Sequence, residues 1–332
     1  MSFDILSLYL CKKIELMKFL TEIPIKPLEE KISYDSKIVS VGSCFAVNMA
    51  EKFKQFQFQY AVNPFGILFH TQAIENLFHF ALEDKLFTEE DIFLHNEIWS
   101  SFDAHSDLNE LEADEVLFNL NSKLRAFRSD LESASHLILT LGTSWVYRNV
   151  TTDKLVANCH KIPQKEFSKE ILSVSHIQEN LKRIVAIANQ LNPNLKIIFT
   201  ISPVRHIKDG FVENQQSKAH LIAALQGFLQ ENKQYYYFPA FEIMMDELRD
   251  YRFYAADLLH PNEMAINYIW ERFMANCISE ESEKTMKLVD EVQKGLAHRP
   301  FNPYSENHNQ FLEKLAQKLD VLLEQYPFMN FR

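Results

Sequence analysis

The sequence predicts an α/β fold with a parallel central sheet and helices packed on both faces. Three observations carry this prediction. Four short runs are apolar throughout and rich in β-branched or aromatic residues: KIVSVG ending at Gly42, HLILTLG ending at Gly142, KIIFTIS ending at Ser202, and YYYFPAF around Tyr236. Strands buried on both faces read this way. Helix-like segments separate them, and strands alternating with helices pair in parallel. The chain has 332 residues, 47% of them hydrophobic, enough for one large domain with additions.

Taken in order, FQFQYA (Phe56–Ala61) could supply a fifth strand, and helices are expected over Asn48–Phe56 and Gln72–Leu82. Ser175–Leu191 carries an apolar stripe (Ile177, Leu181, Ile184, Val185, Ala188) and stops at Asn192–Pro193. Further helices are expected over Ser217–Leu229 and Met264–Phe273. The stretch Phe87–Asp114 breaks the alternation and reads as an insertion over one edge of a site. The tail from Glu280 to Gln325 reads as helical. Its stripe of Leu312, Leu315, Leu319, Leu322 and Leu323 is expected to pack on the domain. The resulting division is an N-terminal extension at 1–20, a main domain at 21–278 and a C-terminal helical extension at 279–332. Met17 would serve as a start as well as Met1.

Lys+Arg 34 against Asp+Glu 45 gives a net charge of −11. Nucleic acid and anionic membrane are therefore not expected as partners, since both need clustered positive charge. No apolar run has bilayer-spanning length, and the first residues lack the order of a secretory signal. Cys11, Cys44, Cys159 and Cys277 are scattered, without a CxxC pair, which fits a reducing, cytoplasmic setting. The histidines form no HxxxH or HExxH pattern, and there is no GxxxxGKS or GxGxxG. Neither a metal nor another cofactor is expected.

KIVSVGSCF places Cys44 where a strand turns into a helix. Free N–H groups and the helix dipole at such a point favour an anion, so the thiol is expected to ionise more easily. The same N–H groups suit a developing oxyanion. DLLHPN supplies a base: Asp257 is spaced to orient the His260 imidazole, and Pro261 suits the first turn of the following helix. Plainer readings stay open, with Cys44 as a small buried hydrophobe and His260 or Asp257 as helix caps. Cys159–His160 reads as site wall or core. Arg205 and His206 follow a strand's carboxyl end, where ligands bind in such sheets. Arg205 could hold a substrate carboxylate or phosphate, or an internal salt bridge. Asn214 and Lys218 read as capping and solvated residues at a helix start.

Several of these pieces resemble the GSCFA family, whose name is the GSCFA stretch at Gly42–Ala46. The likeness continues through NPFGILF (Asn63–Phe69), TLGTSWVY (Thr140–Tyr147), ANCHKIP (Ala157–Pro163), ISPVRH (Ile201–His206), NQQSKAHL and LRDYRFYAADLLHP (Leu248–Pro261). It runs from about Thr21 to Phe273. That family is similar in fold to the SGNH (GDSL-type) hydrolases, which implies a three-layer sandwich. Aligning the glycine of the Gly-Asp-Ser block on Gly42 puts Ser43 at the Asp position and Cys44 at the nucleophile position, with Ser43 itself the alternative nucleophile. The resemblance further implies Asp257 and His260 as orienter and base. It places Gly66 and Ser144 as oxyanion-hole donors; from the residues themselves, Asn63 reads as a further donor beside Gly66 or as a turn residue before Pro64, and Ser43, Arg205, His206 and His160 as candidates to lie near substrate. The activity implied is ester hydrolysis or acyl transfer, with a small-molecule or O-acylated carbohydrate ester as substrate. The rival is a non-catalytic binding protein on the same fold.

Overall fold

A computed structural model describes residues 20–331. The expectations for the N-terminal extension, Cys11 and the Met17 start therefore lie outside the described residues, apart from residue 20. The first half runs β1 (Lys37–Gly42), α1 (Cys44–Gln55), β2 (Gln59–Val62), α2 (Thr71–Glu83), β3 (Phe93–His95), β4 (Ile98–Ser100), α3 (Ala113–Ser133) and β5 (His136–Leu141). Then come β6 (Trp145–Asn149), β7 (Leu155–Val156), β8 (Phe167–Ile171), α4 (Val174–Leu191), β9 (Lys196–Ile201), α5 (Phe211–Glu231) and β10 (Tyr236–Tyr237). A short α6 (Ala240–Glu242), α7 (Glu263–Cys277), α8 (Glu280–Ala297) and α9 (Glu306–Gln325) complete the chain.

The main sheet is parallel throughout, in the order β10-β9-β5-β1-β2. Its two faces feed separate cores because alternate residues point to opposite sides of a strand. Val39, Val41, Leu137, Leu139, Ile197 and Phe199 face one core with α2, α3, α4 and α5. Ile38, Ile138 and Ile198 face the other, packed by α1, α7, α8 and α9. This is the expected three-layer arrangement. In its strand order the chain leaves β1 for β2 on one side and for β5 on the other. The crevice between β1 and β5 is thus the switch point at which open parallel sheets bind ligands.

Several boundaries differ from expectation. α1 starts at Cys44 rather than Asn48, and α5 starts at Phe211 rather than Ser217. α7 is capped by Asn262, whose side chain accepts from Ala265 N at 3.1 Å, so Pro261 precedes the helix instead of sitting in its first turn. α3 and the antiparallel β7-β6-β8 sheet had no counterpart in the sequence reading. The Phe87–Asp114 insertion carries the β3–β4 hairpin and rests on the Asn63–Gly66 turn through His105 N, which donates to Phe65 O at 2.8 Å. In the tail Leu315 and Leu322 are buried with the second core, whereas Leu312 and Leu323 are exposed. No helix among the described residues is long and apolar enough to cross a membrane.

Candidate active site

Gly42 ends β1 with φ +143, a conformation open to glycine. A Cβ there would lie 2.1 Å from Thr140 O, so close pairing with β5 also requires glycine. Ser43 follows as the N-cap of α1, fully buried, its N–H donating to Thr140 O at 3.0 Å and its Oγ without a partner. Cys44 is the first residue of α1 and half-buried. Burial pushes its thiol up. The Lys218 charge and the Cys44 and Phe45 N–H groups pull the other way without prevailing. The expected easier ionisation is therefore corrected: desolvation outweighs the helix start.

Asn63 adopts φ +42 and locks the turn, accepting from Gly42 N through Oδ1 at 2.8 Å. Its buried Nδ2 has no hydrogen-bond partner among the described residues. The other two expected oxyanion donors are already engaged. Gly66 N donates to Asn63 O at 2.8 Å within the turn. Ser144 is fully buried, its N–H donating to Ser217 Oγ at 2.8 Å and its hydroxyl to Ser217 O at 3.1 Å. The donors left near Cys44 are the Cys44 and Phe45 N–H groups and Asn63 Nδ2.

Asp257 and His260 form the expected dyad. Asp257 Oδ2 lies 2.6 Å from His260 Nδ1, while Oδ1 accepts from Leu259 N at 2.9 Å and His260 N at 3.0 Å. The two backbone N–H bonds, then the imidazole, hold the carboxyl down to about 2. With Nδ1 bound to the carboxylate, Nε2 is left for chemistry. The loop docks where β9 ends, since Arg205 N donates to Leu259 O at 3.3 Å. No direct hydrogen bond joins the Cys44 sulfur to the His260 ring.

His206 and Lys218 connect the two ends. The His206 ring stands edge-on to Phe69 with centroids 5.5 Å apart, and its buried Nε2 has no partner. Burial, then the Lys218 and His260 charges, lower its pKa to about 4, so it is neutral at physiological pH. Lys218 is not solvated, as its position in the sequence had implied. It is 1% exposed, with Nζ donating to Gly142 O and Ser202 O, both at 2.7 Å, at the tips of β5 and β9. Burial lowers its pKa to about 7, opposed by Cys44. The sequence did carry a signal for this. The buried stripe of α5 through Leu221, Ala224, Leu225 and Phe228 extends back onto Asn214, Ser217 and Lys218, polar residues at core positions. Asn214 is likewise buried, its Oδ1 accepting from His206 N at 2.9 Å.

A cavity of about 420 Å³ adjoins this cluster, sharing His206, Phe69 and Thr143 with it. Trp145, Tyr147 and Phe167 from the small β7-β6-β8 sheet wall it, with Asn158, Cys159 and Gln164 among its polar lining. Cys159 is thus site wall, its thiol pushed up to about 11 by burial. His160 is not beside the cavity. Its ring turns into the insertion, Nε2 lying 2.8 Å from Ser101 O against Phe93 and Phe102, which removes it from the substrate-contacting set. Arg205 makes no salt bridge among the described residues. It lies over the Tyr254 ring at 4.8 Å and donates to Tyr254 Oη at 3.1 Å. Among the described residues, no group of three or more His, Cys, Asp or Glu could hold a metal ion.

Residues 37–273 match the model of the GSCFA family. The chain belongs to the GSCFA family. A second model, the GSCFA domain protein C-terminal domain, matches residues 289–332, which cover the second half of α8 and all of α9. No curated protein matches the chain. In this GSCFA protein the eponymous stretch is the β1–α1 turn itself, and ISPVRH and NQQSKAHL supply the buried His206 and Lys218 beside it.

Proposed function

We propose that this GSCFA protein is an SGNH-type esterase or acyltransferase with Cys44 as nucleophile. The supporting observation is an Asp257–His260 dyad docked on the segment after β9, at the same carboxyl edge of the parallel sheet as the half-buried Cys44 thiol on the first N–H groups of α1. His260 Nε2 takes the thiol proton as Cys44 Sγ attacks the acyl carbonyl. The oxyanion is held by the Cys44 and Phe45 N–H groups and Asn63 Nδ2. On collapse the alcohol leaves with the proton from His260, and a thioester remains on Cys44. Water or an acceptor alcohol, deprotonated by His260, then attacks the thioester and frees Cys44. A thiol raised by burial needs this base all the more. O-acylated carbohydrate suits the adjoining cavity, whose Trp145 and Tyr147 rings and amide side chains offer stacking and hydrogen bonds. The setting proposed is the cytoplasm, where Cys44, Cys159 and Cys277 stay reduced.

The test is turnover of p-nitrophenyl acetate and acetylated sugars by wild type, Cys44→Ala and His260→Ala, with mass spectrometry of the trapped thioester. Hydrolysis that survives Cys44→Ala would exclude this nucleophile. A second reading, ligand binding without turnover, is favoured by one observation: the Gly66 N–H and the Ser144 N–H and hydroxyl are already bonded within the protein. Ligand binding by a wild type that forms no thioester would select it.

A further inference from the structure

The chain is acidic overall at −11, yet the surroundings of the proposed site are not. Lys161 and Lys208 line the cavity, and neither makes an ion pair among the described residues. Lys208 is near enough to Cys159 to act on its thiol. Arg205, next in sequence to the cavity residue His206, lies on tyrosine faces with no carboxylate partner. Lys218 is buried with two backbone carbonyls for partners. The nearby acids are mostly spent. Asp209 is paired with Lys169 at 2.7 Å, and Asp257 is committed to His260. The Glu213 carboxylate sits against Gly210.

The rim that presents Lys161 is a built turn. His160 and Lys161 are consecutive residues at φ +48 and +60, a costly pairing for side chains with a Cβ. It is pinned by His160 N, which donates to Asn158 Oδ1 at 2.8 Å, and by the His160 contact with Ser101 O. His206 also lines this cavity, and its buried Nε2 has no hydrogen-bond partner among the described residues. Positive charge gathered at the rim of a cleft raises the local concentration of an anion there, whatever the protein's net charge.

Resting on the acyl-ester reading of the same site, we infer that the substrate is anionic: an O-acylated sugar bearing a carboxylate or phosphate. The ring lies against the aromatic walls and the acidic group meets Lys161 and Lys208.

Binding is best measured on Cys44→Ala protein, which keeps the acetyl group intact, by quenching of Trp145 emission with Trp145→Phe as control. The probes are an O-acetylated methyl glucoside, its 6-phosphate, and the matching O-acetylated methyl glucuronide. We expect an acidic probe to bind about tenfold more tightly than the neutral one. The advantage should disappear in the Lys161→Ala/Lys208→Ala double variant and shrink in high salt. Whichever acidic probe binds better names the group. Equal binding of all three, no binding of any, or a preference untouched in the double variant would overturn the inference. Both lysines are exposed, so their replacement leaves the fold intact. Because no turnover is needed, a catalytically silent wild type would sink the enzyme reading while leaving this result standing.

Discussion

Lys218 gives the sharpest physical test of the cluster. Its folded pKa of about 7 lies well below the 10.5 of an exposed lysine, and burial is the cause. Between those two values the unfolded chain holds a proton that the folded chain has released, so stability rises with pH through that window. Below pH 7 both states are protonated and the cost of the buried charge is fully present. Integrating the released fraction from pH 6 to 8.5 gives a gain of about 2 kcal/mol from this residue alone. Lys218→Met abolishes that gain. It also leaves the Gly142 and Ser202 carbonyls without a donor, which costs about 1–3 kcal/mol each at every pH. The variant should therefore lie near wild type at pH 6 and fall behind it by about 2 kcal/mol more at pH 8.5. Urea unfolding of both proteins at four pH values reads the difference, in which groups that do not feel the Lys218 charge cancel, while Cys44 and His206, which do, add a smaller change. The buried thiols act only toward the upper end, being raised in the fold. A wild-type-minus-variant difference flat from pH 6 to 8.5 would refute the account of Lys218.

Four further outcomes are expected. Cys44→Ala and His260→Ala should each lower ester turnover by about 10² to 10⁴, and Asp257→Asn should lower kcat with little change in KM, in steady-state assays. Iodoacetamide should modify Cys44 slowly at pH 7 and faster beyond pH 9, since burial keeps the thiol protonated; a fast reaction at pH 6 would contradict the raised value. His206 should stay neutral in NMR titrations down to about pH 5, because its folded pKa is about 4. Protonating it in the unfolded chain alone makes stability fall as pH drops from 6.5 toward 4. Gly42→Ala should cost more than about 3 kcal/mol or abolish soluble expression, as its methyl would meet Thr140 O.

Much of the architecture was legible because its signals are local. The β1, β5 and β9 runs needed only their unbroken apolar composition to declare buried strands, and α4 announced both its stripe and its stop. The small β7-β6-β8 sheet was not legible. Its strands are short and half-exposed, and they are stabilised by one another, not by composition. α3 was hidden in a polar stretch whose Leu120, Leu124 and Phe127 matter only once they meet the core. Of the site, the Asp257–His260 pairing could be read because three residues of spacing in one loop bring the two groups together. The donors expected of Gly66 and Ser144 are already bonded, Gly66 N to Asn63 O within its own turn and Ser144 to Ser217, 73 residues on, a pairing that only the fold brings about.

The sequence alone determined the buried strands β1, β5 and β9, the apolar residues of the elements it revealed, and that Cys44 stands where β1 gives way to a helix, though it set that helix's start four residues late. Those are properties of a few neighbouring residues. The fold alone decided how far each polar group lies from water and what sits beside it. Burial raised the Cys44 thiol against the helix start, drove Lys218 down to about 7, and left His206 and Asn63 with buried nitrogens that have no partner among the described residues. Desolvation and pairing depend on elements hundreds of residues apart in the chain, and no local pattern records them.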